Sequence, residues 1–276
     1  MSSSPDRSGG ERVAEFVHFL RLGRKLARLG ADVPSRLRLL TAPPIMALSA
    51  GKRLGRPVRV TLADVAASPA LLHLYEFLLL EQLFLREEYA VSMPAAPELI
   101  VDAGSNVGLS ILYFRMRYPT ARIIGIEPDR ANYARCMANV RGVPRVEILP
   151  VALSRADGAQ GFARAAEGWG SRTTDGDAEE QVPTLGLSSI LDRSGRPEID
   201  LLKIDIEGAE FDVIHPEQDL RFVNTIVGEG HLDLARGGTM ETFEAALQGF
   251  ELSLEWLSPD RFVFTAYRRR DGHGDG

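Results

Sequence analysis

From residue 98 onward the chain repeats one pattern, a short apolar run followed by a stretch of helical spacing. The apolar runs lie at 99–102, 121–127, 146–153, 199–206 and 225–228. A strand with one face in water alternates apolar with polar residues, whereas a strand covered on both faces is apolar nearly throughout. Runs of the second kind, separated by helical stretches at 107–118 and 129–140, predict an α/β domain built on a doubly wound parallel sheet. Asp129 stands where it can cap the second helix. The last runs, 250–257 and 261–267, are joined by Ser258-Pro259-Asp260, which predicts a closing antiparallel hairpin. Residues 158–185, with Gly168-Trp169-Gly170 and little apolar content, read as an insertion near the strand ends. Trp169, Ser171 and Arg172 are placed there either to meet an acceptor or to sit in a polar loop.

The first 97 residues read as a helical extension, followed by a domain over 98–268 and a flexible tail over 269–276. Residues 13–29 carry Val13, Phe16, Val17 and Leu20 at helical spacing, with Arg21, Arg24, Lys25 and Arg28 interspersed. Such a helix packs on its own domain or on a second copy of the chain, giving a homo-oligomer through the N-terminal helices. The weaker alternative is an anionic membrane surface. Ala42-Pro43-Pro44 is expected to interrupt the helical pattern, and Ser68-Pro69 to open a helix over 70–88. The Ser/Gly-rich residues 1–10 read as loose.

The net charge of −6 is unevenly spread. The first 60 residues hold twelve Lys/Arg against four Asp/Glu, a surplus of +8, so the remainder carries −14. Without aromatic interleaving the basic arm does not read as a nucleic-acid surface, and an acidic catalytic half disfavours a polyanionic substrate. A single cysteine, Cys136, excludes a disulfide framework and reads as a core residue. No apolar run reaches the roughly 18 residues of a membrane span. The start, with Asp6, Glu11 and Glu15, does not read as a secretory signal. The expected setting is cytoplasmic.

The turn after the first strand reads Val101-Asp102-Ala103-Gly104-Ser105-Asn106-Val107-Gly108. Ligands of such sheets bind outside the carboxyl ends of the strands. A dinucleotide site spells G-x-G-x-x-G, whereas the spacing here is Gly104-x-x-x-Gly108 with Asp102 two residues before the first glycine. A carboxylate there repels a pyrophosphate and attracts a cation, which suits S-adenosylmethionine (SAM), with its ammonium and sulfonium. Glu127 closes the next strand, where an acid accepts from ribose hydroxyls. The bland alternative makes Asp102 a helix cap and Glu127 a solvated strand end.

This turn, together with Ile126-Glu127-Pro128 and Leu202-Lys203-Ile204-Asp205-Ile206-Glu207-Gly208-Ala209-Glu210, resembles the FkbM-type SAM-dependent methyltransferases. The resemblance covers about residues 98–267. It implies a seven-stranded Rossmann-like methyltransferase sheet with its last strand antiparallel, and methyl transfer to a hydroxyl oxygen of a sugar or natural-product-like small molecule. Carried over by position, Asp102, Gly104, Asn106 and Gly108 line the methionine end of SAM, Glu127 the ribose, and Val151 and Ala152 the adenine. One departure is Gly228-Glu229-Gly230-His231 after the fifth strand, where an acid followed by a hydrophobic residue is expected.

Lys203, Asp205 and Glu207 alternate with apolar neighbours, so in a strand all three point one way. Near the strand's carboxyl end they face a cleft; otherwise Lys203 makes a structural ion pair with Asp205 or Glu207. An alcohol must lose its proton to attack a methyl group, so the candidate catalytic residues are Asp205, Glu207 and His231. Asp205 and Glu207 are also the candidates to hold a divalent cation such as Mg²⁺. The alternatives to a methyltransferase are a nicotinamide-dependent oxidoreductase and a non-catalytic interaction domain that keeps the SAM fold.

Overall fold

The computed structural model describes residues 9–49, 53–65, 67–163, 172–174, 180–235 and 238–269. Trp169, Ser171, the Gly168–Gly170 stretch, the start 1–8 and the tail 271–276 lie outside these residues, and the Arg172 side chain is likewise not described. Backbone contacts divide the chain into one unit of Met1–Glu88 with Ala138–Val143, and a second of Tyr89–Met137 with Pro144–Gly276.

In the first unit, helix α1 (Gly9–Leu26) packs on helix α2 (Val33–Ala47). Asp32 caps α2 by accepting from the Ser35 amide at 2.7 Å. Pro43 and Pro44 do not interrupt α2 as expected, but lie inside it. Their missing amides leave the carbonyls of Leu39 and Leu40 without helical donors. Gly23 of α1 lies against those carbonyls; a Cβ there would stand 2.2 Å from the Leu40 oxygen. Strand β1 (Arg53–Arg59) pairs antiparallel with β2 (Ala70–His73), and α3 (Leu74–Phe84) follows. The expected helix over 70–88 is therefore a strand at its start. Buried Leu71 belongs to that pairing, and the buried Glu76 carboxylate accepts from the Leu72 amide at 2.6 Å, which ends the strand where the helix begins.

The second unit begins its sheet with β3 (Leu99–Ala103), α4 (Leu109–Arg117), β4 (Arg122–Ile126), α5 (Arg130–Asn139) and β5 (Val146–Leu149). Asp129 caps α5, its Oδ1 accepting from the amides of Ala131 and Asn132 at 2.8 and 3.0 Å. The expected third strand divides, because β6 (Ala152–Leu153) leaves the main sheet to pair with β9 (Glu180–Leu185). The expected insertion is a second sheet, in which β7 (Gly158–Ala163) lies between β9 and β8 (Arg172–Thr174).

The chain returns through α6 (Leu187–Ser194), β10 (Ile199–Ile204), α7 (Glu210–Val213), β11 (Val223–His231), α8 (Met240–Ala246), β12 (Phe250–Ser258) and β13 (Arg261–Arg268). The main sheet has seven strands in the order β12-β13-β11-β10-β3-β4-β5. β13 is antiparallel to both its neighbours, whereas the pairs from β11 to β5 are parallel. This is the doubly wound α/β sheet, with its last strand antiparallel, that the pattern predicts. The order reverses beside β3, so the carboxyl ends of β3 and β10 form the switch point where such sheets hold ligands.

One face of the sheet is sealed by Phe211, Phe243, Phe262 and Phe264, with Phe243 in edge contact with Phe264 at a ring separation of 5.0 Å. Phe243 is fully buried. Phe243→Ala is expected to destabilise this unit by about 3–5 kcal/mol in urea unfolding. A loss under about 1 kcal/mol would show that α8 does not seal the sheet.

Candidate active site

Three carboxylates gather at the carboxyl ends of β3, β4 and β10 around one lysine. Lys203, on β10 beside Asp102 of β3 in register, is buried. Its Nζ lies 3.3 Å from Asp102 Oδ1 and 3.9 Å from Asp205 Oδ2, and donates to the carbonyls of Ala103 and Gly104 at 3.1 and 2.8 Å. The Tyr89 ring lies beneath the ammonium at 5.5 Å, and the Tyr89 hydroxyl donates to Asp205 Oδ2 at 3.1 Å. Burial opposes the charge on Lys203, but Asp102 and Asp205 together hold its pKa above the usual value. Asp102 is fully buried, with Oδ2 accepting from Ser110 at 2.6 Å and Oδ1 lacking a hydrogen bond among the described residues. The cation that meets Asp102 here is thus Lys203.

The glycine turn is shaped by close packing. Gly104 has φ 79°, and a Cβ on it would stand 1.9 Å from the Asp205 carbonyl oxygen. Asn106 at φ 48° and Gly108 at φ 85° continue the left-handed turn into α4. The Asn106 Oδ1 is buried without a hydrogen-bond partner among the described residues, while its backbone amide donates to Glu127 Oε2 at 2.8 Å. Glu127 Oε1 accepts from the Asp129 amide at 2.9 Å. Burial outweighs these bonds and pushes the Glu127 carboxyl up to about 7. Val151 and Ala152 lie farther along, Val151 partly buried against the main core and Ala152 buried in the smaller sheet.

Asp205 and Glu207 do not continue the strand alternation. β10 ends at Ile204, and Glu207 takes φ 55° in the turn beyond it. That turn is clamped by Glu210, which sequence reasoning passed over as part of a helix. Its fully buried carboxylate accepts from the Ile206 amide at 2.6 Å and the Gly208 amide at 2.8 Å. The same Oε1 lies 3.2 Å from His231 Nδ1. The Glu-Gly-Ala-Glu spacing was the available signal, since an acid three residues after Glu207 can reach back over the turn.

His231 ends β11, with Nε2 at 3.6 Å from Glu229 and 3.8 Å from Glu207. Although burial opposes the imidazolium, the hydrogen bond and charge of Glu210, helped by Asp205 and Glu207, raise His231 to about 9. A raised pKa favours the imidazolium, which balances the carboxylates around it. The glycines flanking Glu229 have a packing reason: Gly230 pairs with Phe262, and a Cβ on it would stand 2.3 Å from the Phe262 ring. Asp205, Glu210 and His231 each offer a ligand atom within 4.8 Å of the others. The Glu210 oxygens are engaged by two backbone amides and His231, whereas Asp205, whose Oδ2 accepts from Tyr89, is the one of the three with a partly exposed side chain. Tyr89, Ser110 and Glu210 join the site without having been expected there, whereas Lys203, expected to face the cleft or to pair with Asp205 or Glu207, is buried 3.3 Å from Asp102 and 3.9 Å from Asp205.

The profile of the "Methyltransferase FkbM domain" family matches residues 102–253, which span the glycine turn, the β10 turn and β11. The chain belongs to the FkbM methyltransferase family. Methyltransferase sdnD of Sordaria araneosa is 30% identical to it over 230 residues, covering 65% of this chain and 84% of that protein. The 2-O-methyltransferase NoeI of Sinorhizobium fredii is 29% identical over 151 residues, covering 45% of this chain and 59% of that one. Among solved structures, methyltransferase FkbM from Methylobacillus flagellatus is 15% identical with a TM-score of 0.45, over 92% of this chain and 60% of that one. In this FkbM methyltransferase, the family match begins at Asp102, the carboxylate held by Lys203.

Removing Lys203 leaves Asp102 buried without a counter-charge. Lys203→Met is expected to cost about 3–5 kcal/mol in urea unfolding, and adding Asp102→Asn to recover much of it. Strict additivity of the two would refute the pairing. The pH dependence follows from the two raised groups. His231 rises from 6.5 to about 9, so its stabilisation is complete below about 6.5 and fades as pH climbs through 9. Glu127 rises from 4.5 to about 7, so folding favours its neutral form and stability falls as pH climbs through 7. The Tm is expected to fall between about pH 5 and 9, with Glu127→Gln flattening the lower part and His231→Gln the upper. Identical profiles in all three proteins would disprove both assignments.

Proposed function

We propose that this chain is a SAM-dependent O-methyltransferase that methylates a hydroxyl of a sugar or natural-product-like small molecule. The observation that carries the reading is the charge at the switch point. Asp102, Asp205 and Glu127 share one buried lysine, which donates to two carbonyls and lies 3.3 Å from Asp102 and 3.9 Å from Asp205. A diphosphate would meet a net negative balance here, with the one lysine buried against Asp102, whereas an ammonium-bearing, phosphate-free cosubstrate suits it.

The residues present fit SAM. The buried Asn106 Oδ1 lacks a donor among the described residues, and both Glu127 oxygens keep a lone pair beyond their amide bonds. Asn106 and the Gly104–Gly108 turn would hold the methionine end, Glu127 the ribose, and Val151 with Ala152 the adenine. SAM bound there supplies an electrophilic methyl group on a sulfonium. Asp205 is the base: its side chain is 27% exposed, against 2% for His231, and Tyr89 and Lys203 fix its orientation. Glu207, 20% exposed and beside Asp205, binds the acceptor, while His231 balances the charge of Glu207, Glu210 and Glu229. The hydroxyl acceptor is supported by the chemistry of a carboxylate base and by the 2-O-methyltransferase among the relatives. No step requires a divalent cation, and Asp205 with Glu207 would be its ligands if one binds.

Calorimetry with SAM and its demethylated product is expected to show binding, and with NAD(P) none; the opposite result would overturn the reading. Asp205→Asn is expected to lower kcat by about 10²–10⁴-fold while cofactor affinity stays within about twofold. An unchanged kcat would remove Asp205 from the chemistry.

A further inference from the structure

Helix α2 presents an apolar stripe that nothing in its own unit covers. Val33 is 66% exposed, Leu37 54%, Ile45 59% and Leu48, just beyond the helix, 64%. At 100° per residue these positions fall within about a 120° arc, with Thr41 completing it. Arg38 lies about 20° outside one edge of that arc and Arg36 about 60° beyond the other, and both are exposed. Each donates to a backbone carbonyl, Arg36 to Gly30 at 3.0 Å and Arg38 to Arg59 at 2.8 Å. Val33–Ala47 contains no acidic residue, and the exposed Arg21, Arg24, Arg56 and Arg59 add to the same sign of charge. A soluble surface does not keep four large aliphatic side chains in line without a use for them.

We propose that α2 docks this protein in the headgroup region of an anionic lipid bilayer, lying along the surface. An interfacial helix of this kind sets aliphatic side chains among the acyl chains and basic residues at the edges of the stripe, where their stems reach up to anionic headgroups. Charge decides the occupant. Helix α2 carries Arg36 and Arg38 and no acidic residue, so a second copy offering the same face would bring like charges together. An anionic lipid surface instead attracts that charge, each basic residue near it being worth about fivefold in binding. No helix among the described residues is long and apolar enough to cross a membrane, so the attachment is peripheral.

The test is flotation of the full chain with phosphatidylcholine vesicles, with and without phosphatidylglycerol. Binding to the phosphatidylglycerol vesicles that weakens with added salt, and little binding to phosphatidylcholine alone, is expected. The exposed-site double variant Leu37→Gln/Ile45→Gln is expected to abolish flotation, and Arg36→Gln/Arg38→Gln to weaken it by about 25-fold, fivefold per residue. A thermal melt checks that both variants remain folded, and the arginine pair tests the proposal if the aliphatic pair does not fold. Absence of flotation, equal flotation on both vesicles, or flotation untouched by the variants would overturn it. So would a concentration-dependent dimer in sedimentation velocity that Leu37→Gln/Ile45→Gln dissolves, which would assign the stripe to a second copy.

Discussion

Burying an ammonium group costs several kcal/mol even after the protein relaxes around it, and the loss is offset only when every donor finds a partner. Lys203 has two hydrogen-bonded carbonyls and the charges of Asp102 and Asp205, 3.3 and 3.9 Å from its Nζ, to set against that cost. Its partners come from two different segments: Asp102 and Ala103 end β3 with Gly104 just after it, and Asp205 follows β10. The ammonium therefore ties the glycine turn to the turn that carries the candidate base. Because Gly104 lies against the Asp205 carbonyl, that tie is steric as well as electrostatic, and neither turn can shift without the other.

A second buried acid does the same work on the far side of the β10 turn. Glu210 holds the amides of Ile206 and Gly208, and its remaining charge fixes His231 at the end of β11. Glu207 is thereby kept in a left-handed conformation that a glutamate rarely adopts. Strain held at that position by a buried clamp is consistent with a side chain whose direction matters. The site is thus a set of polar groups supported from beneath by charges that never reach solvent. Its acidic balance is what the proposed preference for a cationic cosubstrate rests on.

The sheet was legible because its strands are apolar at both faces, which few other structures require. The closing hairpin was legible from the Ser258-Pro259-Asp260 turn, and the cap at Asp129 from its place before a helical run. Ala70–His73 misled because a run of aliphatic residues reads equally as the first turn of a helix; pairing with β1 and the reach of Glu76 decided otherwise. Pro43 and Pro44 misled because the cost of their missing amides falls on carbonyls that close contact with Gly23 accommodates.

At the site, the residues alone determined which side chains gather at the carboxyl ends of the strands, because strand period and glycine turns are local properties. Asp102 and Glu127 could be named on that basis, and Asn106 from the family resemblance; Asp205 was reached through a strand alternation that stops at Ile204. Which charge faces which could not be named, since pairing depends on neighbours a hundred residues away in the chain. Only the folded sheet set Asp102 beside Lys203 instead of open to the cleft. Likewise it brought Glu210 under His231, where that carboxylate favours the imidazolium. Spacing along a chain sets what a segment can form; the sign and strength of a buried charge are set by what the tertiary structure packs around it.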